Sequence, residues 1–456
     1  MSPYSTNAYK LKSFGEGINT PWSNNSGPDA NEFGGVLVMP GALNDIWTKS
    51  FLNEGFSCYE NQEWAYTSNK KLFGVTDLVD AAYQLSSDGS ASLFLSSWGK
   101  GIVQLGGIGS PSDLDTIALY TTSNTDGALK GVNGNASDLR TGGLTLDNEG
   151  TLWGVQSLVS TPLFSRTADG QWNAYSLSPG ADGVALKDIV ATNGMLFIQS
   201  RTQGIYAFEP SSNSKKRLTT GIGSGNLPSD AVLSLAVDQD DELWIGTDHG
   251  LVVLYSPENL FKGGTSDARP ILFEEDGVVQ KLLGENPVTC LLVDGANQKW
   301  IGTRGAGLFL VSPDGLQTRA QFTSSNSPLL SNNILSLAID PTSGELLIGT
   351  DAGIIGYRSN ATLGNQSYYP ELSLYPNPVR PGYTGPIFAK GCPEGAVVKV
   401  TDISGGLVFE TRSFGGQARW EGTNHAGEPV KSGVYLFYVS NDLGEITAMG
   451  KVLIVR

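Results

Sequence analysis

Two histidines, three cysteines and one dense run of carboxylates are the groups with the most chemical potential in this 456-residue chain. His249 and His425 lie far apart in sequence, which leaves little for a mechanism that needs several imidazole ligands or a His base. His249 sits in Thr247-Asp248-His249-Gly250, a turn by composition, and reads as a turn residue. Cys58, Cys290 and Cys392 form no Cys-x-x-Cys pair, so they read as small buried hydrophobes and not as zinc ligands or a disulfide framework. Asp238-Gln239-Asp240-Asp241-Glu242 has enough oxygens for a hard cation but lacks the central Gly and final Glu of a calcium loop; a solvated turn is expected. No nucleophile motif accompanies these groups. The expectation is a non-enzymatic protein with no catalytic residue, no metal and no cofactor.

The elements that would carry these residues repeat. Ala231-Val232-Leu233-Ser234-Leu235-Ala236-Val237-Asp238, then Glu242-Leu243-Trp244-Ile245-Gly246-Thr247, then Gly250-Leu251 form one unit. It returns at Val288 to Asp294 with Lys299-Trp300-Ile301-Gly302-Thr303, and again at Ile334 to Asp340 with Glu345-Leu346-Leu347-Ile348-Gly349-Thr350. Weaker copies centre on Phe94, Trp153 and Phe197, and a degenerate first copy fits Gly35-Val36-Leu37-Val38-Met39, ending near Trp64. The central residues at 94, 153, 197, 244, 300 and 347 are spaced by 59, 44, 47, 56 and 47. Four short strands in about 40–50 residues make a β-propeller blade, and seven copies make a seven-bladed ring. Alternation in Asn7-Ala8-Tyr9-Lys10-Leu11-Lys12 suggests that strand 7–12 completes the last blade and so seals the ring. Within each unit the aromatic should pack between blades, the Asp should hold a turn, and the Gly should relieve crowding. Thr145-Leu146-Asp147-Asn148-Glu149-Gly150-Thr151-Leu152-Trp153 partly echoes the Asp-box of sialidases, but its spacing is off by one and it reads as a turn.

Composition agrees. The chain has 58 Gly, well above the ~7% of ordinary proteins, and 39% hydrophobic residues, as many strands joined by tight turns require. Its 45 acidic and 29 basic residues give a net charge of -16, a poor match to nucleic acid, whose phosphates need clustered Lys and Arg. No apolar run approaches the ~20 residues of a membrane helix. The N-terminus has no basic and apolar export signal.

From about Glu371 the repeat gives way to a Pro-rich opening and seven further short strands, the pattern of an immunoglobulin-like sandwich. The expected organisation is all-β: a propeller over 1–370 followed by the sandwich over 371–456. From Leu372 to the end, eight basic residues face seven acidic ones, so the sandwich is near +1 and the remainder near -17. On charge alone, either the sandwich faces an anionic partner or translocon or its charges are scattered solubilising groups; the propeller's mean field repels an anionic polysaccharide unless local basic or hydrogen-bonding groups offset it.

Leu330-Ser331-Asn332-Asn333-Ile334 with Gly349-Thr350-Asp351-Ala352-Gly353-Ile354 resembles the two-component-regulator propeller repeat. The second module resembles the C-terminal sorting domain of type IX (Por) secretion in Bacteroidetes. It does so through Tyr375-Pro376-Asn377-Pro378-Val379, Asp402-Ile403-Ser404-Gly405, Trp420-Glu421-Gly422-Thr423-Asn424, Ser432-Gly433-Val434-Tyr435, and an ending from Lys451 to Arg456. Together the two modules resemble the second half of PorZ-like proteins, which carry two propellers before the sorting domain. That resemblance implies an exported cell-surface or outer-membrane component, with no membrane-spanning segment of its own. It also implies partnership with a PorU-type sortase and the type IX translocon, and with anionic lipopolysaccharide or another surface glycan. The missing first propeller and export signal are then those of a fragment. Two other readings follow from the same parts: a secreted type IX cargo whose propeller binds a glycan, or the sensor propeller of a hybrid two-component receptor.

Overall fold

The computed structural model describes all residues except 1–9, 16–33, 40–48, 61–62, 86–89, 148, 178–182, 193, 264–266, 276–277, 341–343, 359–371, 384, 393–395, 415 and 441–445. The chain divides into two compact units, the break in sequence following Tyr357 and the smaller unit built chiefly from the residues after it. The boundary expected at 370/371 lies outside the described residues.

Seven inner strands define the first unit: Lys10–Gly15, Leu78–Leu85, Leu139–Leu146, Leu186–Thr192, Val232–Val237, Val288–Val293 and Ile334–Ile339. Each heads an antiparallel sheet, each neighbours the next, and the first also neighbours the last, so the seven blades close into a ring. Blades two and three are fused at one corner, where Trp98 and Gly99 pair with Arg140 and Leu139. The repeat's central residues all fall on second strands, as the spacing required. Trp153, Trp244 and Trp300 are buried, each in an apolar cluster that reaches the following blade.

The Gly-Thr step ending the second strand serves two needs. A Cβ on Gly246 would lie 2.6 Å from Val288 Cγ1 and one on Gly302 2.7 Å from Ile334 Cγ2, so neighbouring inner strands pack where a side chain would stand. The following hydroxyls of Thr247, Thr303 and Thr350 then donate across the turn to the carbonyls of Gly250, Gly307 and Gly353, at 3.0, 2.7 and 2.8 Å.

Ring closure differs from the expectation. Lys10–Gly15 pairs with Gly34–Met39, Leu11 opposite Val38, and so is the inner strand of blade one, not the outer strand of blade seven. Residues 7–9 of the expected strand lie outside the described residues. Alternation marks a strand with one buried face but does not say which position in a sheet it takes. Here the seam is closed by packing: Leu11, Val36, Val38 and Tyr59 from blade one share a core with Ala338 and Leu347 from blade seven. Blade seven has three strands among the described residues. Blade five is also irregular: among the described residues its third strand has an outer partner only at Arg269, followed by a hairpin of Leu272–Glu275 and Val278–Lys281.

The second unit is an immunoglobulin-like sandwich with, among the described residues, seven strands in two sheets. Ser373–Tyr375, Ile387–Lys390 and Gln417–Trp420 form one; Leu407–Arg412, Val397–Asp402, Gly433–Ser440 and Ile446–Ile454 form the other. Its core joins Val398, Val400, Phe437, Val439 and Val452 of one sheet to Ile387, Ala389 and Trp420 of the other. All three cysteines are free thiols; burial pushes Cys58 and Cys392 up to about 12, which makes them inert packing residues.

Candidate functional site

An antiparallel blade sends its first-to-second and third-to-fourth turns to one end of the ring, and its remaining loops to the other. In blades three, four, six and seven the first end is built from short, regular turns. In blades three and five a single carboxylate organises the turn. Asp147 Oδ1 accepts from the Glu149 and Thr151 N–H groups, and Asp238 Oδ1 from those of Asp240 and Glu242. The other oxygen accepts the indole N–H of the blade's Trp, at 2.7 Å from Trp153 and 2.9 Å from Trp244. Both runs are therefore turns, as expected, but Asp238 is not solvated. It is buried and ion-paired to Lys299 Nζ of the next blade at 2.9 Å. That ammonium also donates to the Pro313 carbonyl at 2.6 Å and lies 4.6 Å from the centre of the Trp244 ring. Burial, then the Asp238 charge, raises the Glu242 carboxyl to about 7. The sequence signal of Lys299 is a Lys where the other clear copies have Leu243 and Leu346, but the repeat alone does not show its partner.

The other end carries longer and less regular loops. One bond recurs there: the N–H of Trp98, Ser157, Arg201, Asp248 and Arg304 each donates to the carbonyl just ahead of its own blade's inner strand or at that strand's start. His249 is exposed on this end and 2.9 Å from Asp248, whose hydrogen bond and charge raise its pKa. It is a turn residue. Asp351, held by bonds from Ser331 and Asn333, is lowered. Among the described residues no cluster of His, Cys, Asp and Glu could hold a metal ion.

The motif residues of the sandwich, in contrast, converge. Asn377 uses its side-chain amide as a strand would use its backbone: Nδ2 donates to the Lys451 carbonyl at 2.9 Å and Oδ1 accepts from Leu453 N–H at 3.0 Å. Val379 continues the pairing with Leu453 and Val455 at 2.8 and 2.9 Å, alongside Ile454 in parallel. The peptide bonds before Pro376 and Pro378 are cis. Tyr375 donates to Gln417 at 3.0 Å and stacks on Phe388. Trp420 is fully buried against Tyr435 and Phe437, its indole N–H on the Thr423 carbonyl at 2.7 Å. Tyr435 donates back to the Lys431 carbonyl, four residues upstream, at 3.0 Å, a corner bond typical of such sandwiches. Arg456 donates to the carbonyls of Gly422 and Val430 at 3.1 and 3.3 Å. Gly422 has a φ of +68°, and a Cβ there would lie 3.2 Å from the Arg456 guanidinium. Gly433 lies at the start of its strand with only Tyr435 near a Cβ, and Lys451 projects into solvent. Asp402 caps its turn through Ser404 and Gly406, which lower its pKa.

Together these features define a seven-bladed β-propeller followed by an immunoglobulin-like sandwich. Residues 226–249 match the two component regulator propeller family. The chain is similar to PorZ, described as an essential bacterial surface component of the type-IX secretion system of Porphyromonas gingivalis. The two share 25% identity with a TM-score of 0.62, over 92% of this chain and 58% of that one. This chain thus spans little more than half of PorZ. It also matches the extracellular domain of a putative hybrid two component system from B. thetaiotaomicron, at 13% identity and a TM-score of 0.49, over 99% of this chain and 53% of that one. A putative one component system from the same organism matches at 15% and 0.47, over 92% and 56%. Among curated proteins, none matches. No helix among the described residues is long and apolar enough to cross a membrane.

Proposed function

We propose that this chain is a non-enzymatic, cell-surface component of a type IX secretion system, corresponding to the second propeller and sorting domain of a PorZ-like protein. The supporting observation is the likeness to PorZ, which covers 92% of the chain. On this reading the sandwich is a sorting domain. Tyr375, Pro376, Asn377, Pro378, Trp420, Gly422, Gly433, Tyr435, Lys451 and Arg456 build its opening, core and terminal strand and do no chemistry. The propeller assists a PorU-type sortase in processing cargo and attaching it to anionic lipopolysaccharide at the outer membrane.

Affinity capture of the full chain from an outer-membrane extract tests this. Co-purification of a sortase together with a chain that keeps residues 372–456 is the expected result. A mature protein trimmed of the sandwich and free of sortase would instead make it secreted cargo. A chain joined to a downstream kinase would make it a receptor's sensor propeller.

A further inference from the structure

Over blades two to four, at the end with the longer loops, a pocket of about 640 Å³ opens between three connections. One wall is the segment between Asp115–Tyr120 and Leu139–Leu146, contributing Leu129, Lys130 and Asn133 among others. The second is the turn at Leu158, Val159 and Ser160, and Gly183 closes the third side. The volume falls within the ~300–1,000 Å³ of small-molecule sites.

The pocket is pre-formed by a buried side chain. Gln156 is fully buried, and its Nε2 donates to the carbonyls of Ala128 and Thr161 at 2.7 and 2.8 Å while its Oε1 accepts from Lys130 N–H at 2.8 Å. Two walls are thus tied to one amide. Leu158 N–H bonds the Val184 carbonyl at 3.0 Å and fixes the third. Much of the lining holds a left-handed backbone: Gly127, Asn133, Gly134, Gly183 and Leu158, the last at φ +63°. Such a conformation is strained for Leu and persists only where surroundings enforce it, and strain of this kind clusters at ligand sites.

Among the described residues, Lys130 is the one ionisable residue of the lining, and it takes part in no ion pair there. Asp138 in the same connection is already engaged by Lys49 at 2.7 Å and Arg140 at 3.3 Å. Thr122, Asn133 and Ser160 add hydrogen-bonding groups, and the glycines expose backbone. We propose that this pocket binds a small polar anion of monosaccharide size, its carboxylate or phosphate held by Lys130 and its remaining polar groups by the hydroxyl and backbone lining. Its ligand class overlaps the anionic glycan of the secretion reading, but the site is argued from the pocket's own residues and does not rest on the sortase partnership. This is the case left open by the charge reading, in which a local basic group offsets the propeller's mean field.

Titration of the full chain with glucuronate, glucose 6-phosphate and glucose tests it by calorimetry, with hydrogen exchange to locate binding. Saturable binding of a charged sugar is expected, at least about tenfold tighter than glucose, with protection at 122–136 and 158–160. Binding by glucuronate alone assigns a carboxylate site, and by glucose 6-phosphate alone a phosphate site. Lys130→Gln should weaken it about tenfold or more, while Lys215→Gln on the outer strand of blade four leaves it unchanged. Leu158→Gly, which leaves Lys130 in place, should also weaken it by relaxing the wall. Equal binding of glucose, undiminished binding by Lys130→Gln, protection elsewhere, or no binding of either anion overturns the proposal.

Discussion

The two ends of the propeller are made from the same repeat yet obey different rules. At the end with short turns, left-handed positions are filled by Gly150, Gly170, Gly194, Gly315 and Gly344, or by Asn213, Asp241 and Asn297. These are the residues that adopt this conformation at least cost. At the other end the left-handed positions include Phe51, Phe73, Leu158 and Leu283, for which it is strained. Charge divides too. Asp147, Asp169, Asp238, Asp294, Asp314 and Asp340 lie at or beside the short turns, whereas Lys49, Lys100, Lys130, Arg201 and Arg304 lie on the connections of the other end. Glu54, Asp77, Asp126, Asp138, Asp230, Asp248, Glu285 and Asp351 share that second end, so it is distinguished by carrying cations beside its carboxylates and not by a positive surplus among the described residues. One end is shaped by what holds blades together; the other tolerates strain that folding alone does not explain.

The sharpest way to break this contrast is at the buried ion pair of the first end. Lys299→Ala leaves Asp238 charged and unpaired in the interior, and a loss of about 3–5 kcal/mol is expected from denaturant midpoints. The double variant Lys299→Met with Asp238→Asn should recover most of it; no recovery would make the pair net stabilising and not merely self-compensating. Next, Trp153→Phe and Trp244→Phe each remove an N–H donated to a carboxylate, at an expected cost of about 1.5–3 kcal/mol. Blade five should lose more than blade three, because Trp244 also faces Lys299.

A smaller effect is expected from pH. The Glu242 carboxyl titrates at about 7 when folded, against 4.5 as its reference. Between these values the folded chain holds a proton that the unfolded chain has released. Its contribution to stability is complete below about 4.5 and is lost as pH rises through about 7. Glu242→Gln should flatten that decline in thermal melts, raising the midpoint above pH 7 with little change near pH 4. Smallest of all, Leu158→Gly at the second end should shift stability by less than about 1 kcal/mol, strain relief offsetting lost contact. A large loss there would erase the distinction between the ends.

The fold was legible because a propeller writes its unit into the sequence seven times, and the Trp, Asp and Gly-Thr positions carry period and packing together. The sandwich was legible through alternation and the positions of Trp420 and Tyr435. Position within the ring was not: Leu11 alternates as either an inner or an outer strand would, and only its neighbours in blade seven decide. Lys299 and Asp238 are 61 positions apart, so their pairing is a product of blade stacking. The pocket at Lys130 escaped for a different reason. Its walls are mostly backbone, and what organises them, the amide of Gln156, carries no sequence signature.

The Asn377 amide, last, has a mechanical consequence. It and Val379 lace the start of the sandwich to its final strand, and the two segments run parallel. Tension between the chain entering at Leu372 and the residue Arg456 would slide these segments past one another, loading the bonds at Lys451, Leu453 and Val455 at once and not one after another. The sandwich is thereby latched against being pulled open from its ends, and loosening it means releasing one asparagine and one valine first.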